Sequence, residues 1–167
     1  LVQTVDVNPD GSLLASGGED SIIRLWDLKK LEMTGALANH RKAIQEVRFD
    51  NTGSFLLAAS SDASVSSWKK SGSSGFVFDK AFEGVHALLS VDINNDLSVI
   101  GAGDVMGYVT FWDFRSGRQL RRIKTHRESV LCVRFTSDGS KLLVASHNEY
   151  DDTIKLIETS TGKELQK

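Results

Sequence analysis

Apolar residues in this chain come in short alternating runs, each closed by a tight-turn sequence. In VDVNPDGSLLAS, residues 5 to 16, Val5 and Val7 flank a polar Asp6, a turn rich in Asn, Asp, Gly and Ser follows, and an apolar run resumes. The same order returns in VRFDNTGSFLLA (47 to 58), VDINNDLSVIGA (91 to 102) and VRFTSDGSKLLVAS (133 to 146). Period-two alternation leading into such a turn predicts a β-hairpin. A second landmark keeps the same phase, in apolar segments that end at Trp26, Trp68, Trp112 and Ile157 with spacings of 42, 44 and 45 residues. In the first copy Val5/Val7, Leu13/Leu14, Ile23/Leu25 and Leu37 mark four strands, and helical periodicity is nearly absent.

The chain therefore reads as four units, about 1 to 38, 39 to 82, 83 to 124 and 125 to 167, each a four-stranded antiparallel sheet. A sheet of that size cannot bury both faces alone, so the units must stack on one another, as in a propeller or a solenoid. The glycine-serine segment 69 to 75 falls within the second repeat, where a flexible hairpin loop fits better than a linker.

Trp-Asp stands at Trp26-Asp27 and Trp112-Asp113 and has drifted to Trp68-Lys69 and Ile157-Glu158. Upstream, His40 in NHRKAIQEVRF and His126 in THRESVLCVRF each precede apolar residues by four and seven positions (Ile44/Val47 and Val130/Val133). With these motifs the chain resembles the WD40-repeat β-propeller family over essentially its whole length. The resemblance implies an all-β fold, four blades of four antiparallel strands, belonging to a ring of about seven blades. Because it opens on Leu1 rather than Met, the chain is expected to be a segment of a larger propeller. An apolar face would then stand uncovered at each end.

The resemblance also implies a buried chain in each blade: Asp holds His, His meets a Ser or Thr, and that hydroxyl accepts from the Trp indole. Such a closed network satisfies polar groups taken out of water. In the first unit it would use Ser16, Asp20 and Trp26, with the histidine ahead of residue 1. The second offers His40, Asp62 and Trp68, but Ala58 at the hydroxyl position breaks it. The third has Gly84, Ala102 and Met106 at the key positions, and the fourth keeps His126 and Asp151 while Ile157 replaces the Trp. Only the first is expected to be intact.

Net charge is -2, with a pI near 6.1, so no long-range field draws the molecule onto nucleic acid or an anionic membrane. A single cysteine, Cys132, fits a reducing intracellular compartment, cytoplasm or nucleus. No apolar segment approaches the ~20 residues of a membrane span. Ser, His and Asp in one network invite comparison with a hydrolase, but a catalytic serine must be exposed and this one would lie inside a sheet. GAGDVMG (101 to 107) lacks the glycine spacing and following helix of a dinucleotide loop. His147, Glu149, Asp151 and Asp152 in HNEYDD read as a solvated loop rather than a metal site. No catalytic residue, metal, cofactor or small-molecule substrate is expected.

The family resemblance implies a non-catalytic scaffold for other proteins in an intracellular multi-subunit complex. Its partner-facing loops would hold Glu19, Arg41, Lys42, Glu83 to His86, Val105, Met106, Arg127, Glu128 and Asn148 to Tyr150. One charge feature opens an alternative. RSGRQLRRIKTHR gathers Arg115, Arg118, Arg121, Arg122, Lys124 and Arg127 without an acid. Such a ridge guards an exposed edge strand, or else holds an acidic protein or the RNA of a ribonucleoprotein.

Overall fold

A computed structural model describes residues 1–72, 75–146 and 154–166. Every element in it is a strand, and the strands form four antiparallel sheets whose order follows the sequence. The first sheet holds β1 (Val2–Val7), β2 (Leu13–Gly18), β3 (Ile22–Asp27) and β4 (Glu32–Ala38). The second holds β5 (Ile44–Phe49), β6 (Phe55–Ser60), β7 (Ser64–Ser71) and β8 (Gly75–Glu83). The third holds β9 (Leu88–Ile93), β10 (Val99–Asp104), β11 (Tyr108–Asp113) and β12 (Gln119–Lys124). The fourth holds β13 (Val130–Phe135), β14 (Lys141–Ser146), β15 (Ile154–Glu158) and β16 (Glu164–Gln166).

The repeated turn sequences work through one side chain. Asn8 Oδ1, Asp50 Oδ1 and Asn94 Oδ1 accept from the amides of Leu13, Phe55 and Val99 at 2.8, 2.6 and 2.9 Å, and Thr136 Oγ1 accepts from Lys141 at 3.2 Å. Each acceptor stands five residues ahead of its donor and closes the hairpin between the first two strands of a sheet. The Gly of NPDG, NTG and SDG takes the left-handed conformation there (φ 71, 70 and 69), and in the third copy Leu97 adopts it instead (φ 56).

The core lies between the sheets. Ala15, Ile23 and Leu25 of the first pack with Ile44, Val47 and Phe49 of the second. Leu57, Ala59 and Val65 meet Leu88, Val91 and Ile93, and Val109 and Phe111 meet Val130 and Val133. Contact is so close that a Cβ on Gly17 would sit 2.6 Å from Ile44 Cγ2, and one on Gly103 would sit 2.3 Å from Val130 Cγ1. The equivalent outer faces have no such cover. Val2, Val5 and Val7 of β1 are exposed, whereas Val47, Val91 and Val133, the counterparts of Val5 in the other three sheets, are at most 1% exposed. At the other end Leu143, Ile154 and Leu165 are open.

A polar ladder runs beside this core along the innermost strands. Thr4 accepts from the Val47 amide (3.2 Å) and Asp6 from Phe49 (2.8 Å). Glu46 accepts from Val91 (2.7 Å), Ser90 from Val133 (3.0 Å) and Asp92 from Phe135 (2.8 Å). Each blade thus satisfies edge amides of the next, which open strands otherwise leave unpaired. Arg48 and Arg134 occupy the alternate blades and pair with Asp92 and Glu46. Burial pushes the Asp92 carboxyl above its usual range, in spite of the Phe135 amide and the two arginines.

Candidate functional site

The residues expected in buried networks come together in the second blade, and there the sequence expectation needs correcting. His40 Nδ1 lies 3.1 Å from Asp62 Oδ2, His40 Nε2 lies 2.8 Å from Ser66 Oγ, and Trp68 Nε1 donates to that same oxygen at 2.8 Å. With Nδ1–H directed at the carboxylate, Nε2 accepts from the Ser66 hydroxyl, which in turn accepts from the indole. Ala58 does not break this network, because Ser66 faces Ala58 directly across β6 and β7. The hydroxyl has changed strands. Burial alone would raise Asp62, but the Arg41 amide, the Ser64 hydroxyl and His40 hold it at about 2.

In the first blade Trp26 Nε1 donates to Ser16 Oγ at 2.9 Å. Asp20 turns instead to Arg24, at 2.7 Å, whose hydrogen bond lowers its carboxyl pKa. The third blade, with Gly84 in the place of the network histidine, carries an ion pair: Asp104 Oδ2 meets Arg122 at 2.8 Å, and the guanidinium stacks 3.6 Å from the Tyr108 ring centroid. In the fourth, His126 is buried with Nδ1 3.1 Å from Thr125 Oγ1, and Lys155 reaches the Thr125 carbonyl and Glu164. Asp151, Tyr150 and the rest of 147 to 153 lie outside the described residues.

Asp62, His40 and Ser66 have the connectivity of a hydrolase triad, yet Ser66 is 0% exposed and its oxygen is already taken by Trp68. A nucleophile needs access to its substrate. Here the same constellation locks strand register. Among the described residues no cluster of His, Cys, Asp or Glu is arranged to hold a metal ion.

The family profile described as "WD domain, G-beta repeat" matches residues 2–27, 31–69 and 117–158, well over half of the sequence. The chain belongs to the WD40 repeat family. Its longest unmatched stretch, 70 to 116, takes in β8 to β11 and with them Gly84 and Ala102, where the third blade lacks the histidine and the hydroxyl of the network. The chain is 28% identical to a WD repeat-containing protein 89 homolog of Dictyostelium discoideum, over 85% of this chain and 38% of that protein. It is 27% identical to a periodic tryptophan protein 2 homolog of Caenorhabditis elegans, over 93% of this chain and 16% of the relative. A serine-threonine kinase receptor-associated protein of Gallus gallus is 25% identical, over 98% of this chain and 56% of its own length. The chain thus spans less than two thirds of each of these relatives.

In this WD40 chain the loops entering each innermost strand and those joining the second and third strands share one end of the sheets, since Val2 pairs with Gly18 and Ile22 with Ala38. Hydrogen bonds stitch them into one face. Asp62 accepts from the Arg41 amide (2.9 Å), Gly84 N–H donates to Ala63 (2.7 Å), Val105 N–H to Ala87 (3.0 Å), and Ser129 Oγ to Val105 (3.0 Å). On it Arg41, Lys42, Glu83, Val85, Met106, Arg127 and Glu128 are exposed, while His86 is half-buried. Glu19 lies 3.6 Å from the Leu1 amine.

The basic ridge is less open than its sequence suggests. Arg121 donates to the Thr159 carbonyl at 2.8 Å and lies over Phe111, tying the third blade to the fourth, and Arg122 belongs to the buried pair. Arg115 and Arg118 remain exposed on the outer side.

Proposed function

We propose that this chain is a non-catalytic interaction scaffold within an intracellular multi-subunit complex, contacting its partners through the loop face at the entry of the innermost strands. The observation that carries this reading is the stitched face itself: charged and apolar side chains stand exposed on loops fixed by hydrogen bonds over a rigid frame. The Asp62–His40–Ser66 constellation, which has catalytic connectivity, is sealed beneath it. Relatives of related sequence include a receptor-associated protein by name, which supports an assembly role. Arg121 and Arg122 are committed to the blades, which weakens the ridge as an RNA site and favours protein partners. The test is a mass-spectrometric comparison of proteins that co-purify with the wild-type chain and with a variant carrying Lys42→Glu and Met106→Ser. Loss of the same set of proteins from a folded variant is expected; an unchanged set refutes the loop face as the contact surface.

A further inference from the structure

The outer strands β4, β8, β12 and β16 end their sheets, and among the described residues no strand pairs with their outer edges. Three of these edges are entered on a charge: Glu32 stands across from Asp27, Arg118 from Asp113 and Lys163 from Glu158. A charge there keeps a bare edge from pairing with another chain. On β8 the same place belongs to Val77, across from Lys69. Val77 is 53% exposed, and Phe78 beside it is 46% exposed. This hairpin also runs on where the others stop. One backbone bond closes each of the other three, from Leu31 to Asp27, Gly117 to Asp113 and Gly162 to Glu158. In contrast, β7 and β8 stay paired through Lys70 and Phe76 to Ser71 and Gly75.

We infer that the outer edge of the second blade pairs with the same edge of a second copy, antiparallel and two-fold, centred on Val77. The segment Phe76-Val77-Phe78 reads the same in both directions. An axis at Val77 therefore sets Val77 against itself and, twice, Phe76 against Phe78 of the other copy, as a two-fold contact requires. Aromatic pairs directly opposite one another stabilise an antiparallel ladder. Trp68 already packs edge-on against Phe78 at 5.4 Å, so each pair extends an existing aromatic row. Charge fixes the register. Lys69 and Lys70 lie on β7, behind the edge, and Lys80 Nζ is held by the Phe114 and Arg115 carbonyls of the third blade at 3.3 and 3.0 Å. Glu83 lies at the far end of β8, which leaves Asp79 as the charge next to the apolar segment. An axis at Asp79 would oppose two carboxylates, and one at Phe78 would oppose Asp79 to Val77; the axis at Val77 places Asp79 against Gly75. Each copy covers little more than Val77, Phe78 and a short run of backbone, well below the ~1,200 Å² total of a stable interface, so pairing depends on concentration. Because the strands run antiparallel, the two loop faces point to opposite ends of the pair and both stay open.

The experiment measures how fast a short bifunctional maleimide links two copies. The chain carries Cys132→Ser, so that only an introduced thiol reacts, and Val5→Lys with Val7→Lys, which weaken association through the open face of the first blade. Val77→Cys is expected to link about tenfold or more faster than Met106→Cys, because pairing makes the reaction intramolecular. The two sites are equally open, at 53% and 50% exposure. Asp79→Cys, also exposed, is expected to link no faster than Met106→Cys. An excess of the chain without an introduced thiol is expected to slow the Val77→Cys link in proportion, since mixed pairs hold one thiol. Unchanged urea midpoints confirm folding. Sedimentation gives a second reading: the concentration-dependent dimer that remains in the Val5→Lys, Val7→Lys chain is expected to disappear on adding Val77→Lys. Linkage of Val77→Cys no faster than Met106→Cys leaves the edge to a different chain and overturns the proposal. Asp79→Cys linking as fast as Val77→Cys, or a dimer that persists in Val77→Lys, overturns it as well.

Discussion

Ser66→Ala tests whether the second blade depends on the hydroxyl that changed strands. Two buried groups lose their partner at once: the Trp68 indole N–H, 2.8 Å from Ser66 Oγ, and His40 Nε2, also 2.8 Å away. The His40 side chain is 1% exposed and Trp68 is 5% exposed, so water does not replace the lost bonds. A stranded buried group costs about 1–3 kcal/mol, which places Ser66→Ala near 3 kcal/mol once the non-additivity of neighbouring groups is allowed for. Ser16→Ala strands only the Trp26 N–H on a half-buried ring and should cost about 1 kcal/mol. With a urea slope of about 2 kcal/mol per M, the two midpoints should fall by roughly 1.5 M and 0.5 M. Adding Ala58→Ser to Ser66→Ala returns a hydroxyl to the strand that carries Ser16 in the first blade, and at least half of the loss should be recovered. Tryptophan fluorescence in urea reads all three variants. Ser66→Ala no costlier than Ser16→Ala, or no recovery in the double variant, would refute the strand-exchange reading.

Asp62 sets a pH dependence. Its folded pKa of about 2 lies below the ordinary 3.8, so its contribution is fully present above pH 3.8 and is lost as pH falls from there through 2. The amount is about 2 kcal/mol, and Asp62→Asn should flatten the acid limb of a urea-midpoint titration by that much; an unchanged limb would count against the network. Arg122→Gln leaves the Asp104 carboxylate, 2% exposed, without its cation, and should cost about 3 kcal/mol where Arg118→Gln costs under about 0.5, measured by thermal melts. Equal costs would return Arg122 to the surface ridge. Gly103→Ala forces a Cβ into Val130 across the interface of blades three and four, and should cost about 1–3 kcal/mol; a neutral result would mean that the blades slide apart freely. The isolated chain should associate with rising concentration in sedimentation, through the open apolar faces, and Val5→Lys with Val7→Lys should reduce this; a compact monomer at all concentrations would contradict it.

Strand order and turns were legible because the same side chain closes each hairpin. Asn8, Asp50, Asn94 and Thr136 recur at one place in the repeat, and a fixed chemical task leaves a fixed sequence mark. Ser66 was illegible for a related reason. A strand-to-strand exchange keeps the hydroxyl in place in space while moving it eight positions along the chain, from the place of Ala58 to its cross-strand partner. Only register reveals that those positions face each other. The signal was nevertheless present, as the Ser two residues ahead of the Trp in SVSSW. Arg121 and Arg122 read as one basic run, but adjacent strand residues point to opposite faces. One lies over Phe111 and the other over Tyr108, so a run of charge along the chain is two separate, half-buried contacts in the fold.

The polar ladder of the innermost strands gives the blades a direction. An acceptor on one blade serves an amide on the next, from Thr4 and Asp6 through Glu46 to Ser90 and Asp92. The corresponding positions on the fourth blade are Cys132 and Arg134. A thiol accepts weakly and a guanidinium not at all, and Arg134 is already bound to Glu46. By the same register, the amides of Val5 and Val7 point from the first blade toward the open edge and call for a hydroxyl or carboxylate opposite them. The fourth blade of a second copy brings neither a carboxylate nor a hydroxyl. Two copies joined head to tail would cover apolar surface and still leave those amides without good acceptors, at a cost of about 1–3 kcal/mol for each one buried. Association through the open faces should therefore be weak and indefinite in stoichiometry. A surface that fits the first blade specifically must carry oxygen acceptors at alternate positions of an extended strand, as β1, β5 and β9 do for their own neighbours.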